Sequence, residues 1–208
     1  MPGLLITFEG IEGSGKSTLA KFLYDYLKSK GINCVLTKEP GGTRLTQKIR
    51  ELILDVHNQM NPLTELFLYL ADRAQHVEEI IKPALKENKV VISDRYSDAT
   101  IAYQGGGRHL PKGTLKELNK IATSGITPDL TILLDVPPDK ALKRIRQKDR
   151  IESENIEFHR AVRVEYLRLA KESPGRIKIL DASKSLDELK KEVISIVEEF
   201  LKNHGYKV

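Results

Sequence analysis

Short apolar runs alternate along the chain with longer segments in which apolar residues recur every three or four positions. The short runs predict five strands, at residues 4–9, 33–37, 89–94, 129–135 and 176–181. The longer segments predict a helix directly after the first strand and further helices over about residues 62–87, 111–124, 153–172 and 185–203. This order predicts an α/β fold, with a five-stranded parallel sheet flanked by helices.

Composition supports one folded domain over residues 1–208. Hydrophobic residues make up 40% of the chain and charged residues 30%, which is typical of a globular protein and excludes a disordered one. No apolar run approaches the ~18 residues that cross a bilayer, so we expect no membrane association. The first residues lack the basic segment of a signal peptide, and we therefore predict a cytoplasmic protein.

Cysteine content argues against a disulfide or cysteine-based zinc site, and the distribution of charge argues against a nucleic-acid surface. Cys34 is the only cysteine, so no intramolecular disulfide or cysteine-based zinc site can form, and its apolar surroundings predict burial. The net charge of +5 raises the possibility of a nucleic-acid partner. Basic and acidic residues are interleaved along the predicted helices, however, as in residues 188–192, which is typical of solvated faces. We therefore expect no nucleic-acid partner.

Residues 10–17 match the Walker A pattern, and they lie between the first strand and the first helix, as that motif requires. Glycines at 10, 13 and 15 allow successive backbone N–H groups to point at one anion. Lys16 supplies a cation to the β- and γ-phosphates of a nucleotide, and the Ser17 hydroxyl is suited to Mg²⁺. A purely structural turn explains the glycines but not Lys16 followed by Ser17.

The phosphate loop indicates a nucleotide but not a reaction. The Asn-Lys-x-Asp run of GTPases is absent and the chain is short for a motor, which favours a small kinase. Asp94 lies at the C-terminal tip of another predicted strand and Arg95 follows it, at the sheet edge where ligands bind in open α/β sheets. There Asp94 would lie near the metal and the transferring phosphate, with Arg95 in the cleft. The alternative for this pair is a surface salt bridge or a helix cap.

Several segments together resemble the thymidylate kinase family over essentially the whole chain. They are residues 8–18, 39–43, 94–96, 102–108, 128–131 and 134–136. The resemblance implies a P-loop nucleoside monophosphate kinase fold with a short lid at about residues 144–154. It also implies transfer of the γ-phosphoryl group of MgATP to thymidine monophosphate (dTMP), with both nucleotides as substrates, and a homodimer.

The resemblance implies an acceptor site for dTMP. Tyr69 would stack on thymine and Arg73, on the same helix face at i, i+4, would donate to thymine O4. Thr100 and Gln104 would bond the base, and Tyr103 would crowd the sugar. Lys38, Arg50 and Arg95 would surround the acceptor phosphate. Glu12 would accept a hydrogen bond from the sugar 3′-hydroxyl. The alternatives are a core Tyr69, an Arg73 that reaches solvent, a helix-surface Arg50 and a glycine-flanked loop anchored by Tyr103.

The donor site implied by the resemblance consists of the phosphate loop, the lid and the segment that borders adenine. Its residues are Gly10, Glu12, Gly13, Ser14, Gly15, Lys16, Ser17, Thr18, Arg144 and Ala182. Since the loop carries Glu12 and no arginine, the family pattern assigns the cation near the γ-phosphate to Arg150 of the lid. The catalytic residues would then be Lys16, Asp94, Arg95 and Arg150, with Ser17 and Asp94 on Mg²⁺. Arg146 and Lys148 are interpreted as solvated lid residues.

Two other functions stay open at this point. The first is a different nucleoside monophosphate kinase, which a panel of acceptor monophosphates would identify. The second is a sensor or scaffold that binds ATP without turnover, which failure to phosphorylate any monophosphate would favour.

Overall fold

The structure, a computed structural model, describes residues 2–208. All five predicted strands are present within one residue of their expected bounds, and they form one parallel sheet in the order β2-β3-β1-β4-β5. The strands are β1 (Leu4–Glu9), β2 (Cys34–Lys38), β3 (Val90–Asp94), β4 (Leu130–Asp135) and β5 (Ile177–Asp181). Helices surround this sheet, which confirms the predicted fold class.

Nine α-helical segments connect or cover the strands in the described part of the chain. They are α1 (Lys16–Ser29), α2 (Arg44–Leu54), α3 (Pro62–His76), α4 (Lys82–Lys86), α5 (Ser97–Thr100), α6 (Lys112–Ala122), α7 (Pro138–Ala141), α8 (Ile156–Glu172) and α9 (Leu186–Asn203). A π-helical segment, Val77–Ile81, joins α3 to α4, so the predicted helix over residues 62–87 is continuous. Within residues 2–208, no helix is long and apolar enough to cross a membrane.

Several helical segments were not predicted from the hydrophobic pattern, and two of them, α2 and a glycine-rich segment, contribute residues to the cleft described below. In α2, apolar residues do recur at helical spacing, at Leu45, Ile49, Leu52 and Ile53, but Leu45 and Leu52 face solvent and only Ile53 among them is fully buried. The glycine-rich stretch that was interpreted as a possible loop forms a π-helical segment, Ile101–Gly107, directly after α5. Its composition disfavours helix, and packing against α8 compensates.

Strand register brings the polar strand ends together. Every residue of β1 is buried because β3 pairs on one side and β4 on the other. Phe8 and Lys38 both align with Asp94, so the ends of β1, β2 and β3 lie at one level. The phosphate loop follows β1 and therefore lies beside Asp94 at the carboxyl edge of the sheet. Cys34 is buried and unpaired, as expected.

Candidate active site

The phosphate loop is shaped by glycines that no other residue could replace without strain. Gly10, Gly13 and Gly15 have φ values of 140°, 73° and 97°. A Cβ at Gly13 would lie 2.1 Å from the carbonyl oxygen of Ala141, so the loop packs directly against α7. Gly15 caps α1, and the helix N-terminus therefore opens into the loop.

Lys16 lies inside this loop and is almost fully buried. Its ammonium group donates to the Ile11 carbonyl at 2.8 Å and lies 3.4 Å from the Ser14 hydroxyl. Burial, together with repulsion from the Arg95 cation, lowers the pKa of Lys16 to about 8. The lysine is thus held over the loop, mainly protonated at neutral pH, and a bound anion would favour its charged form further.

The hydroxyl of Ser17 donates directly to the Asp94 carboxylate. One hydroxyl and one carboxylate are a partial coordination shell of the kind that Mg²⁺ completes with water and nucleotide phosphates. The described residues hold no cluster of three or more His, Cys, Asp or Glu side chains that could bind a metal by themselves. The donor set therefore fits a magnesium ion that arrives with a nucleotide, and Ser17 and Asp94 would hold it.

Arg95 enters the cleft because the backbone turns sharply after β3. Its φ is 74°, which is uncommon outside glycine, and its N–H donates to the Phe8 carbonyl at 3.0 Å. The guanidinium donates to Glu12 Oε1 at 2.7 Å and stacks 4.9 Å from the Tyr103 ring centre. Asp94 and Arg95 therefore form neither a helix cap nor a surface pair with each other.

Glu12 is half-enclosed rather than exposed at a loop tip. Besides the bond from Arg95, its Oε1 accepts a 2.6 Å hydrogen bond from the Tyr103 hydroxyl. Burial alone would raise the pKa of Glu12, but the cations of Arg95 and Lys16 and the hydroxyl of Tyr103 help to outweigh burial, and the pKa is lowered to about 2. Glu12 is therefore an ionised acceptor between the phosphate loop and the segment that carries Tyr103.

A cleft of about 950 Å³ runs across the carboxyl edge of the sheet. Most of the predicted site residues line it, and they come from the phosphate loop and the start of α1, from the ends of β2 and β3, from α2, α3 and α5, and from the Ile101–Gly107 segment and the lid. These residues are Glu12, Gly13, Gly15, Lys16, Ser17, Thr18, Lys38, Arg50, Tyr69, Arg73, Asp94, Arg95, Thr100, Tyr103, Gln104 and Arg144. Gly10, Ser14, Arg150 and Ala182 lie outside the lining.

Arg73 is buried, with 2% of its surface exposed, so the alternative in which it reaches solvent is wrong. Nε donates to Glu39 at 2.8 Å, and Nη1 donates to Thr100 Oγ1 at 2.6 Å and Asn119 Oδ1 at 2.8 Å. Nη2 donates to the Tyr96 carbonyl at 2.9 Å and lies 2.8 Å from Glu39 Oε2. Four of the five N–H groups thus donate within the protein, so at most one is left for thymine O4.

A buried carboxylate, Glu65 on α3, supports the other expected base contact. It accepts from Gln104 Nε2 at 2.9 Å and from both Nε and Nη2 of Arg108, at 3.1 and 2.9 Å. The amide nitrogen of Gln104 is thereby committed to the protein, which leaves its amide oxygen available as an acceptor.

The lid contacts the donor side of the cleft through Arg144. Its guanidinium donates to the Gly13 carbonyl at 3.2 Å and to the Ala182 carbonyl at 3.1 Å. Arg144 thus joins the phosphate loop to the segment after β5. Ala182 is buried and contributes its backbone at this point.

Arg150 departs from its expected placement beside the phosphate loop. Its backbone N–H donates to the Leu54 carbonyl at 3.0 Å, and its Nε donates to the Ile53 carbonyl at 2.6 Å. Its Nη2 lies 2.8 Å from the Glu65 carboxylate. An arginine that is attached to α2 and α3 in this way anchors the lid. To reach a transferring phosphoryl group it would have to leave both partners.

Comparison with known proteins agrees with this geometry. A family model described as "Thymidylate kinase" matches residues 8–193. A thymidylate kinase of Desulfosudis oleivorans is 47% identical over 206 residues, which cover 94% of this chain and 96% of that protein. One from Caldanaerobacter subterraneus is 45% identical over 204 residues, covering 97% and 98% respectively. The chain belongs to the thymidylate kinase family. The crystal structure of thymidylate kinase from Ehrlichia chaffeensis superposes with a TM-score of 0.79 at 35% identity, covering 95% of this chain and 99% of that one.

Three buried polar residues of this thymidylate kinase family member were not found by sequence reasoning. They are Glu65, Asn119 and His159, each of which touches a residue that was expected to bind substrate. All three lie within amphipathic helices, where a single polar residue is usually interpreted as part of a solvated face. The resemblance on its own gave no signal for them.

Behind the phosphate loop lies another buried carboxylate, Glu9, at the end of β1. It accepts from the Tyr96 backbone N–H at 2.8 Å and the Tyr166 hydroxyl at 2.6 Å. Burial is the main reason that the pKa of Glu9 is raised to about 7, and the nearby Asp98 adds to it. Glu9 fixes the backbone of Tyr96 and therefore the turn that presents Arg95.

Proposed function

We propose that this protein transfers the γ-phosphoryl group of MgATP to dTMP, giving ADP and thymidine diphosphate, a step in dTTP synthesis. The observation that carries the proposal is a single cleft with two sides. A complete phosphate loop lines one side, and Tyr69, Thr100 and Gln104 line the other. Family membership supports the identity of both substrates.

The donor half of the cleft suits the phosphates of ATP. The N-terminus of α1 and the loop N–H groups provide fixed partial positive charge, and Lys16 adds a full one. Mg²⁺, bound with the nucleotide by Ser17 and Asp94, neutralises further phosphate charge when present. Arg144 donates to the carbonyls of Gly13 and Ala182, and there it would border the adenine.

The acceptor half suits a nucleoside monophosphate, with separate groups for its planar base, its phosphate and its sugar. Tyr69 offers an aromatic face, and the Gln104 amide oxygen and Thr100 hydroxyl offer polar contacts to base edges. Arg95, Arg50 and Lys38 provide cations for the acceptor phosphate. Glu12 is an ionised acceptor at the sugar, where a 3′-hydroxyl can donate to it.

These positions allow transfer without a covalent enzyme intermediate. A phosphate oxygen of dTMP is already an anionic nucleophile, so the protein has to align it with the γ-phosphorus, screen the combined charge and exclude water. Arg95 lies between the two halves and can contact both phosphates. We propose Lys16, Arg95 and Asp94 as the groups that act at the transferring phosphoryl, and Arg150 as a fourth only if the lid releases it.

The experiment is a coupled assay of ADP formation with MgATP and dTMP. Lys16→Ala should lose about a hundredfold or more in kcat, because the charge at the β- and γ-phosphates is removed. Lys21→Ala is the matched control, since Lys21 lies on α1 and is exposed beside Asp25. Near-normal turnover by Lys16→Ala, or an equal loss in both variants, would contradict the assignment.

The proposal also includes a homodimer, a single domain over residues 1–208 and a cytoplasmic location. Large apolar side chains are exposed on two adjacent helices, Leu45 and Leu52 on α2 with Leu63 and Phe67 on α3, and a second copy would cover them. Light scattering should give twice the chain mass. Leu52→Glu should halve it, whereas Val164→Glu, at an exposed position on α8, should not.

A further inference from the structure

His159 is fully buried beside the cleft and yet makes no hydrogen bond from its ring. Both ring nitrogens are without a partner among residues 2–208, as is Oε2 of Glu12. These unpartnered atoms face each other, because His159 Nδ1 lies 3.5 Å from Glu12 Oε2. Buried polar atoms are normally paired, so a donor and an acceptor left open on facing residues indicate a bond that forms in another state of the site.

The two oxygens of Glu12 are treated differently by their surroundings. Oε1 accepts from Arg95 at 2.7 Å and from Tyr103 at 2.6 Å. Oε2 accepts nothing, although an ionised carboxylate has about four sites for donors. A donor on the Oε2 side would stop the carboxylate from rotating about its last bond. His159 is placed on that side.

Close helix packing fixes the imidazole at this distance. His159 is in the first turns of α8, and its ring meets the Phe158 ring edge-on at 5.3 Å. Gly106 and Gly107 let the segment that carries Tyr103 lie against α8, because a Cβ on them would lie 2.8 Å from Glu165 and 2.4 Å from Phe158. One interface therefore sets the positions of Tyr103 and His159 around Glu12.

We propose that His159 is a positioning residue, whose Nδ1–H donates to Glu12 Oε2 when the substrates are bound and holds that carboxylate toward the acceptor sugar. This inference rests on the proposed function, in which Glu12 accepts from the 3′-hydroxyl of dTMP. It extends that function by a residue that need not touch either substrate. A shift of about half an ångström would bring the two atoms within ordinary hydrogen-bond distance.

Two amide substitutions test the position of the donor. In His159→Asn the amide nitrogen takes the place of Nδ1, whereas in His159→Gln it reaches the place of Nε2. We expect His159→Asn to keep kcat/KM for dTMP within about threefold of the unchanged protein, and His159→Gln to lose about tenfold or more, the effect of one bond to a charged group. KM for ATP should be unchanged in both.

A double-mutant cycle separates positioning from folding. His159→Leu should also lose about tenfold in kcat/KM for dTMP, but should lose less than about twofold further in a Glu12→Gln background. If His159→Leu lowers kcat/KM about tenfold in the Glu12→Gln background as well, the two residues act independently and the role of His159 is overturned. Equal activity of the Asn and Gln variants would overturn it too. If the Leu variant does not fold, the Asn and Gln pair still decides. The unchanged protein is assayed first, and failure to phosphorylate dTMP there would overturn the proposed function instead.

Discussion

Glu65 Oε2 lies 2.8 Å from Arg150 Nη2, and this ion pair ties the lid to the first turn of α3. The same carboxylate accepts from Gln104, which lines the acceptor half of the cleft. A single buried group thus connects the wall of the acceptor pocket with the lid. The arginine that the family motif suggested for phosphoryl transfer is, in this conformation, part of that connection.

Removal of Arg150 should therefore weaken the fold. Arg150→Ala takes one charged partner from a fully buried carboxylate, which retains Arg108, so we expect a loss of about 1–3 kcal/mol in the free energy of unfolding. Urea denaturation measures this. Arg146→Ala is the control, because Arg146 is exposed and its side chain forms no ion pair within the described residues, and it should change stability by less than about 0.5 kcal/mol.

The opposite result would restore the motif-based assignment. If Arg150→Ala leaves unfolding unchanged and lowers kcat about a hundredfold, the guanidinium acts at the phosphoryl group and the pair with Glu65 is only a resting position.

ATP affinity should fall as pH rises above about 8. Burial and the neighbouring Arg95 lower the pKa of Lys16 to about 8 in the free protein, and the bound phosphates favour the charged form. The dissociation constant of a non-hydrolysable ATP analogue should rise by up to about tenfold per pH unit from pH 8 to 9.5. Calorimetry measures it. Lys16→Arg stays charged over this range and should show a flat profile. Parallel profiles for the two proteins would exclude titration of Lys16 as the cause.

Glu9 should make the protein less stable as pH rises. Its pKa is about 7 when folded and about 4.5 when unfolded, so the folded state binds more protons between these values. Stability is then highest below pH 4.5 with respect to this group, and is lost as pH rises through 7. Relative to Glu9→Gln, the unchanged protein should lose on the order of 2–3 kcal/mol between pH 5 and 8. Identical pH dependence in both proteins would show that Glu9 does not titrate in this window.

Gly107 should not tolerate a methyl group. A Cβ there would lie 2.4 Å from the Phe158 ring, and relief of this overlap should cost about 1–3 kcal/mol in unfolding free energy. The shift should also raise KM for dTMP, because Tyr103 and Gln104 lie on the same segment. In Gly113→Ala, on α6, the Cβ meets nothing within 4 Å, and this control should gain about 0.4–1 kcal/mol. Thermal unfolding of both variants measures the change in Tm. Equal changes in Tm for the two variants would contradict the close packing of Gly107 against Phe158.

Local patterns in the sequence predicted the elements that depend on local chemistry. The phosphate loop needs glycines, Lys16 and Ser17 in adjacent positions, and Asp94 ends a strand that begins with three apolar residues, so both could be recognised without the fold. The π-helical segment could not, because its glycines disfavour helix and it is stabilised by α8, more than 50 residues later in sequence.

The partners of the site residues depend on tertiary structure. Arg73 could not be distinguished from a solvent-facing arginine by spacing alone, since the acceptors that bury it come from Glu39, Thr100 and Asn119 on other elements. The side chain of Arg150 is likewise oriented by its ion pair with Glu65. In the sequence, Glu65 is indistinguishable from a charged residue on the solvent-exposed face of an amphipathic helix. Family motifs locate such residues but do not give the state in which they are held.

A panel of acceptors tests directly whether dTMP is the preferred substrate. ADP formation would be measured with MgATP and, in turn, dTMP, dUMP, dCMP, dGMP and AMP. We expect the highest kcat/KM with dTMP, at least about tenfold above dCMP, dGMP and AMP, because contacts to the base edge exclude acceptors that leave polar groups unpaired. Equal or better turnover of dCMP, dGMP or AMP, or no ADP with any of the five, would contradict it.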